Sequence, residues 1–128
     1  MIHRVDVFHL TGQELVTTAE ELVAILRRRT DGGSHVEIAP HPASHPLMTL
    51  VVQDSFAVLH YFGSVGDAGW QSRGNLHAVP AVVEFPDPSG SMLTLPGAAV
   101  IDLVTAERCV TAFAASLSRP DLVEWMRL

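Results

Sequence analysis

The sequence predicts an α+β fold, a mostly antiparallel β-sheet with two helices packed on one face, in a single domain over residues 1–128. Three observations carry that prediction. Two apolar runs, Leu47–Gln53 and Phe56–Phe62, flank the polar break Asp54-Ser55, the pattern of an antiparallel hairpin. Thr18-Ala-Glu-Glu21 is a capping box, and Ala19, Leu22, Val23 and Leu26 follow it at helical spacing. A second helical stripe, Ala106, Val110, Phe113 and Leu117, follows the capping candidates Asp102 and Thr105.

The hairpin is the organising element. A two-residue loop sets Val52 opposite Ala57, Leu50 opposite Leu59 and Met48 opposite Tyr61 on one face. The other face takes Gln53/Phe56, Val51/Val58, Thr49/His60 and Leu47/Phe62. The first set is wholly apolar and should meet the helices. The second is mixed, for partial cover or partial wetting.

Taken in order, Ile2–Leu10 reads as a first strand that Gly12 ends. The capped helix carries Arg27, Arg28 and Arg29 toward its C-terminus, and Asp31-Gly32-Gly33 stops it. His35–Ala39 alternates as a short strand. Pro40–Pro46, with its repeated prolines, reads as a loop or a protected sheet edge. After the hairpin, Gly63, Gly66, Asp67 and Gly69 form a flexible turn that delivers Trp70, as a lid on the core or an exposed contact. Arg73, Gly74 and Asn75 belong to a polar loop, Val79–Phe85 to a strand, Pro86–Gly90 to a turn, and Met92–Leu95 to the returning strand. Pro96-Gly97 breaks the chain before the second helix, Arg119-Pro120 ends that helix, and Leu122–Met126 is a closing strand. The order is β-α-β-β-β-β-β-α-β.

Composition narrows the functional classes. A chain of 128 residues, 48% hydrophobic and 17% charged, is large and apolar enough to bury a core unaided. Cys109 is the only cysteine, so no internal disulfide forms. The apolar stretch Ala98–Ala106 is interrupted by Asp102 and is too short to span a bilayer. The opening MIHRVDVFHL lacks the layout of a signal peptide, which predicts a cytoplasmic protein. With 14 acidic against 8 basic residues and a net charge of −6, free nucleic acid and anionic membranes are poor partners, and a basic protein is a good one.

Catalytic chemistry is thinly represented. His35, His41 and His45, with Glu37 among them, lack a spacing that would converge on a metal, and read as solvent-exposed loop histidines. Cys109 lies beside an apolar helical stripe, where a thiol packs as a small hydrophobe rather than pairing with His60 as a nucleophile. Gly63–Gly69 matches no phosphate-binding pattern. Glu84 and Glu124 lie near aromatics on strands; acid–base work would need a cleft that pushes their pKa values apart, and partnering surface arginines is the commoner role. No catalytic residue, metal or cofactor is therefore expected.

One pattern rises above this background. The apolar hairpin, Gly69-Trp70, the strand Val82–Phe85, and the closing Phe113 followed by Arg119-Pro120-Asp-Leu-Val-Glu124-Trp125 together resemble the Imm1 family, immunity proteins of bacterial polymorphic toxin systems. The similarity runs from about Leu15 to Trp125; RPxxVEW and Gly-Trp are its most specific parts. Leu117-Ser118 stands where the family often has a glycine, and the Pro40–Pro46 insert is unusual. The resemblance implies a non-catalytic inhibitor that binds one cognate toxin and occludes its active site. Nucleic-acid deaminases are frequent toxin partners in that family, and such a toxin needs a basic groove for its substrate. The net charge is compatible with that partner.

Asp54, Tyr61, Asp67 and Trp70, at the tip and exit of the hairpin, are the candidate toxin contacts, with Asp87 as a fifth. Against this, recurrence of both tryptophans in the family favours Trp70 and Trp125 as core plugs, and Asp87 suits a turn. Two other classes compete. One is a small enzyme or ligand-binding domain with a pocket between sheet and helices, using His60, Tyr61 and Glu84. The other is a scaffold subunit that forms a homodimer through a sheet edge.

Overall fold

The computed structural model describes residues 1–74 and 76–128; Asn75, read above as part of a polar loop, lies outside them. The elements run β1 (Val5–His9), β2 (Gly12–Val16), α1 (Ala19–Leu26), β3 (Gly33–Pro40), β4 (Leu47–Gln53), β5 (Phe56–Phe62), β6 (Trp70–Arg73), β7 (Val82–Pro86), β8 (Met92–Pro96), a 3-10 turn at Gly97–Ala99, α2 (Leu103–Ser116) and β9 (Glu124–Arg127). A seven-stranded sheet has the order β2-β1-β3-β4-β5-β6-β9, every pair antiparallel, and β7-β8 forms a separate two-stranded sheet. The fold is α+β, as the periodicities predict.

The central hairpin has the anticipated register residue for residue, from Leu47 opposite Phe62 to Gln53 opposite Phe56. Asp54 turns the chain at a φ of 55°, a left-handed conformation that Asp tolerates better than most residues. Met48, Leu50, Val52, Ala57 and Leu59 join Val5, Val7, Val36 and Ile38 in one buried cluster with Leu22, Ile25 and Leu26 of α1 and Ala106, Val110 and Phe113 of α2. Both helices therefore cover the wholly apolar face. The opposite face is covered at its centre by the β7–β8 hairpin, where Val51 and Val58 meet Val83, Phe85 and Leu95. Each such side chain, fully buried, contributes about 1.5–3 kcal/mol.

The caps explain where the helices start and stop. The Thr18 hydroxyl accepts from the Glu21 amide at 3.2 Å and donates to the Glu21 carboxylate at 3.0 Å. The Asp102 carboxylate accepts from the Thr105 amide at 2.7 Å and its hydroxyl at 2.8 Å, so Asp102 is the cap and Thr105 its partner. Leu117 closes α2 with a left-handed φ of 57°, the conformation that glycine most often supplies just past a helix C-terminus.

Several sequence expectations need correction. Gly12 does not end the first extended segment; it begins β2, an edge strand of GQELV whose apolar content is too low to read as a strand. The predicted polar stretch after Trp70 contains β6, four residues held between β5 and β9 by tertiary pairing. In α1 the buried third position is Ile25, whereas Ala19 and Val23 are only half-buried. Pro40 ends β3, which lies between β1 and β4, so the proline segment is a loop at the end of an interior strand and not a protected edge.

Close backbone approach fixes one further glycine. A Cβ on Gly74 would stand 1.6 Å from the Val100 carbonyl oxygen, because the chain leaving β6 runs against the segment before α2. Ser72 stitches the same region from inside. Fully buried, its hydroxyl accepts from the Leu59 amide at 3.0 Å and donates to the Ala99 carbonyl at 2.8 Å.

Candidate functional site

The five residues nominated from sequence fall into two groups at opposite ends of β4–β5. Asp54 and Asp87 belong to the first. The Asp54 amide donates to the Gly32 carbonyl at 2.8 Å, and the Gln53 side chain donates to the Asp31 carbonyl at 3.1 Å, which binds the turn after α1 to the hairpin tip. Pro86, immediately before Asp87, packs so closely on Gly33 that a Cβ there would meet its ring at 2.9 Å. Three turns carrying Asp31, Asp54 and Asp87 are thereby gathered at one end of the sheet. Asp31 and Asp54 are exposed, and both have left-handed φ values, 51° and 55°. Asp87 is half-buried; its carboxylate accepts from the Ser89 amide at 3.2 Å, as its reading as a turn residue anticipates. Asp31 was legible only as a helix stop, since nothing local shows which turn it will meet.

Tyr61, Asp67 and Trp70 form the second group. Met48, Tyr61, Trp70 and Arg127 stand in successive cross-strand register on the helix-facing side. Tyr61 packs edge-on to Phe113 with ring centroids 6.0 Å apart. Trp70 is half-buried, and the guanidiniums of Arg119 and Arg127 lie 3.8 Å and 5.0 Å from its ring centroid. It is neither a core plug nor a loop residue. Trp125 comes closer to the core reading: it packs partly against the main cluster and its indole N–H donates to the Pro120 carbonyl at 2.7 Å.

Asp67 is an internal clamp. Its carboxylate accepts from the Gly63 amide at 2.9 Å and the Gly69 amide at 3.0 Å, and pairs with Arg127 at 2.7 Å. Those two amides, followed by the arginine, hold the carboxyl down at about 2. The turn is thus closed around a carboxylate rather than left flexible. Gly69 is required there, because its φ is 94° and a Cβ would lie 2.4 Å from the Phe62 ring.

The residues of the enzymatic alternative are not brought together. His60 and Tyr61 point to opposite faces of β5, and Glu84 is exposed on β7. The space between sheet and helices is filled by the core. A cleft of about 630 Å³ lies elsewhere, lined by Arg73, Asp102, Thr105, Asp121 and Glu124. Cys109 is fully buried, and burial, with the nearby Asp102, pushes its thiol up to about 11.

Of the three histidines read as exposed loop residues, His35 departs from that expectation, whereas His41 is exposed on the turn after β3. His35 is not an exposed loop residue; it lies on β3, its side chain 11% exposed, with Nδ1 3.1 Å from the Pro86 carbonyl and Nε2 3.2 Å from Glu37. His41 pairs with Asp6 at 3.0 Å. His60 accepts at Nε2 from the Gln71 amide group at 3.0 Å, and burial, then the neighbouring His35, lower its pKa. Among the described residues no group of three or more His, Cys, Asp or Glu is placed to hold a metal, and no helix is long and apolar enough to cross a membrane.

No family model matches the chain, and no curated protein does.

Gly69-Trp70 and the closing segment Arg119–Trp125 meet in space, whereas Val82–Phe85 lies in the separate two-stranded sheet. Arg119 stacks on Trp70, Pro120 is buried and receives the Trp125 indole, Val123 packs on the core, and Leu128 donates its amide to the Gly69 carbonyl at 3.0 Å. Gly69-Trp70 and RPxxVEW are two halves of one structural clip fastening the end of the chain to β6. Arg119 and Arg127 were missed as partners of Trp70; the position of Arg119 inside the motif was the available signal.

Proposed function

We propose that this chain is an immunity protein that binds a cognate bacterial toxin domain and occludes its active site. The observation that carries the reading is the convergence of Asp31, Asp54 and Asp87 on three adjoining turns of a protein with a net charge of −6. The backbone of these short turns is fixed by the Asp54–Gly32 bond, the Gln53–Asp31 bond and the packing of Pro86 on Gly33, so little loop ordering is needed on binding, which favours a preorganised contact. The partner that such a rim suits is basic. A toxin acting on nucleic acid, of the deaminase type, needs a positive groove for its polyanionic substrate, and an acidic rim competes for that groove. Complementary fields of this kind speed encounter and set orientation.

Within this reading Asp54 and Asp87 are retained as contacts, and Asp31 joins them. Tyr61, Asp67 and Trp70 support the fold at the far end. Co-expression with the toxin domain encoded beside this chain tests the proposal, scoring survival and recovery of a one-to-one complex. Rescue with a complex that weakens in Asp31→Asn/Asp54→Asn/Asp87→Asn is the expected result. Survival without any complex overturns it; a complex indifferent to the triple substitution places the contact on another surface.

A further inference from the structure

We propose that His35 is a pH-operated latch that fastens the β7–β8 hairpin to the large sheet when its ring carries two protons and releases it when one is lost. Nδ1 faces the Pro86 carbonyl at 3.1 Å and Nε2 faces the Glu37 carboxylate at 3.2 Å. Both partners are acceptors only, so both contacts are hydrogen bonds only when both ring nitrogens bear hydrogen. A neutral ring accepting from a protonated Glu37 would be the alternative. It is opposed by the ordinary acidity of a carboxyl group, which leaves Glu37 ionised near neutrality, a state that the bond from His35 favours further.

The charged and titratable groups facing the ring are few. Glu37 lies on the same strand, Asp87 follows Pro86 in the β7–β8 turn, and His60 lies across the sheet on β5. Burial opposes the charge on His35; Glu37, Pro86 and Asp87 together outweigh it, and the net shift is upward from 6.5. His60 shifts the other way, so it stays neutral and does not repel the imidazolium near neutrality.

Loss of the proton forces a choice. A bond to a carboxylate is stronger than one to a neutral carbonyl, so the neutral ring keeps Nε2–H on Glu37. Its Nδ1 lone pair then confronts the lone pairs of the Pro86 carbonyl, and that contact becomes repulsive. Among the described residues the β7–β8 sheet shares no ladder with the large sheet. Its remaining hold is the apolar contact of Val83, Phe85 and Leu95 with Val51, Val58 and Val100 and the packing of Pro86 on Gly33, together with the covalent connections on either side. Opening would expose Val51 and Val58 and carry the Asp87 turn away from Asp31 and Asp54.

The test is a titration of the intact protein from about pH 5.5 to about pH 9, following the ring ¹⁵N shifts of His35 and amide exchange of β7 and β8 against that of β4 and β5. The expected result is an imidazolium at pH 6.5 that titrates above that value. Relative to β4 and β5, hairpin exchange should rise at least about threefold through the same transition. In Glu37→Gln both events should move together to lower pH, and in His35→Gln the pH step should vanish. A His35 ring that is neutral at pH 6.5 overturns the proposal, as does hairpin exchange that ignores the ring's titration. The wild-type and Glu37→Gln titrations decide the matter even if His35→Gln fails to fold.

Discussion

The guanidinium of Arg119 lies 3.8 Å from the centroid of the Trp70 ring, joining the loop after α2 to the first residue of β6. Because β6 pairs with β5 on one side and β9 on the other, the contact ties the last strand to the hairpin. Trp70→Ala removes the ring from both Arg119 and Arg127, and should lower unfolding free energy by about 2–4 kcal/mol, short of a fully buried aromatic because Trp70 is half-exposed. Arg119→Ala should cost only about 0.5–1 kcal/mol, the scale of an exposed cation–π pair. Urea unfolding of both variants checks the order. Equal costs would mean that Trp70 acts through the arginine alone.

Ser72 offers a sharper test of the interior. Its hydroxyl is the partner of the Leu59 amide and donates to the Ala99 carbonyl. Ser72→Ala should destabilise by about 2–4 kcal/mol, since two buried backbone groups lose their partner at once. Denaturant midpoints measured beside those of Ser44→Ala, an exposed serine, give the comparison; matching losses would show that the bridge contributes nothing.

Asp67 sets part of the acid limb. Its carboxyl is depressed from 3.8 to about 2 by the Gly63 and Gly69 amides and then Arg127. A depressed carboxylate contributes stability that is fully present above the unfolded value near 3.8 and is lost as pH falls through the folded value. The melting temperature should therefore drop between about pH 4 and pH 2, with a smaller drop in Asp67→Asn, which starts lower at pH 7. Parallel acid limbs for the two proteins would refute the clamp.

The acidic rim predicts kinetics more than stability. Asp31→Asn/Asp54→Asn/Asp87→Asn removes three charges while keeping a residue that tolerates left-handed φ and can cap a turn. Association with a basic toxin domain should slow by about tenfold at low salt, and the difference should shrink at about 0.5 M salt, where screening is short-ranged. The melting temperature should stay close to that of the parent. Stopped-flow association at two ionic strengths is the measurement, and a rate insensitive to both salt and charge would place the contact elsewhere.

How much was legible depends on how local each signal was. The β4–β5 register followed from strict alternation and a two-residue break, and the Thr18 and Asp102 caps from hydroxyl or carboxylate side chains within three residues of the amides they serve. Strand β6 was not legible, because WQSR has no apolar period and is extended only where β5 and β9 hold it. The candidate site divides the same way. Asp54 and Asp87 could be named from turn chemistry, but their union with Asp31 needed the packing of Pro86 on Gly33.

By itself, then, the sequence determined what short-range physics writes into it: the α+β class, the apolar face that meets the helices, the helix starts and the acidic balance. Tertiary structure alone decided which distant groups meet. It stacked Arg119 on Trp70, gave His35 a second acceptor in Pro86, and turned Asp67 from a surface charge into a clamp. Alternation, periodicity and caps act over a few residues and are visible in one strand of text. Bonds between segments far apart in the chain depend on the closure of the whole sheet, which no local pattern encodes.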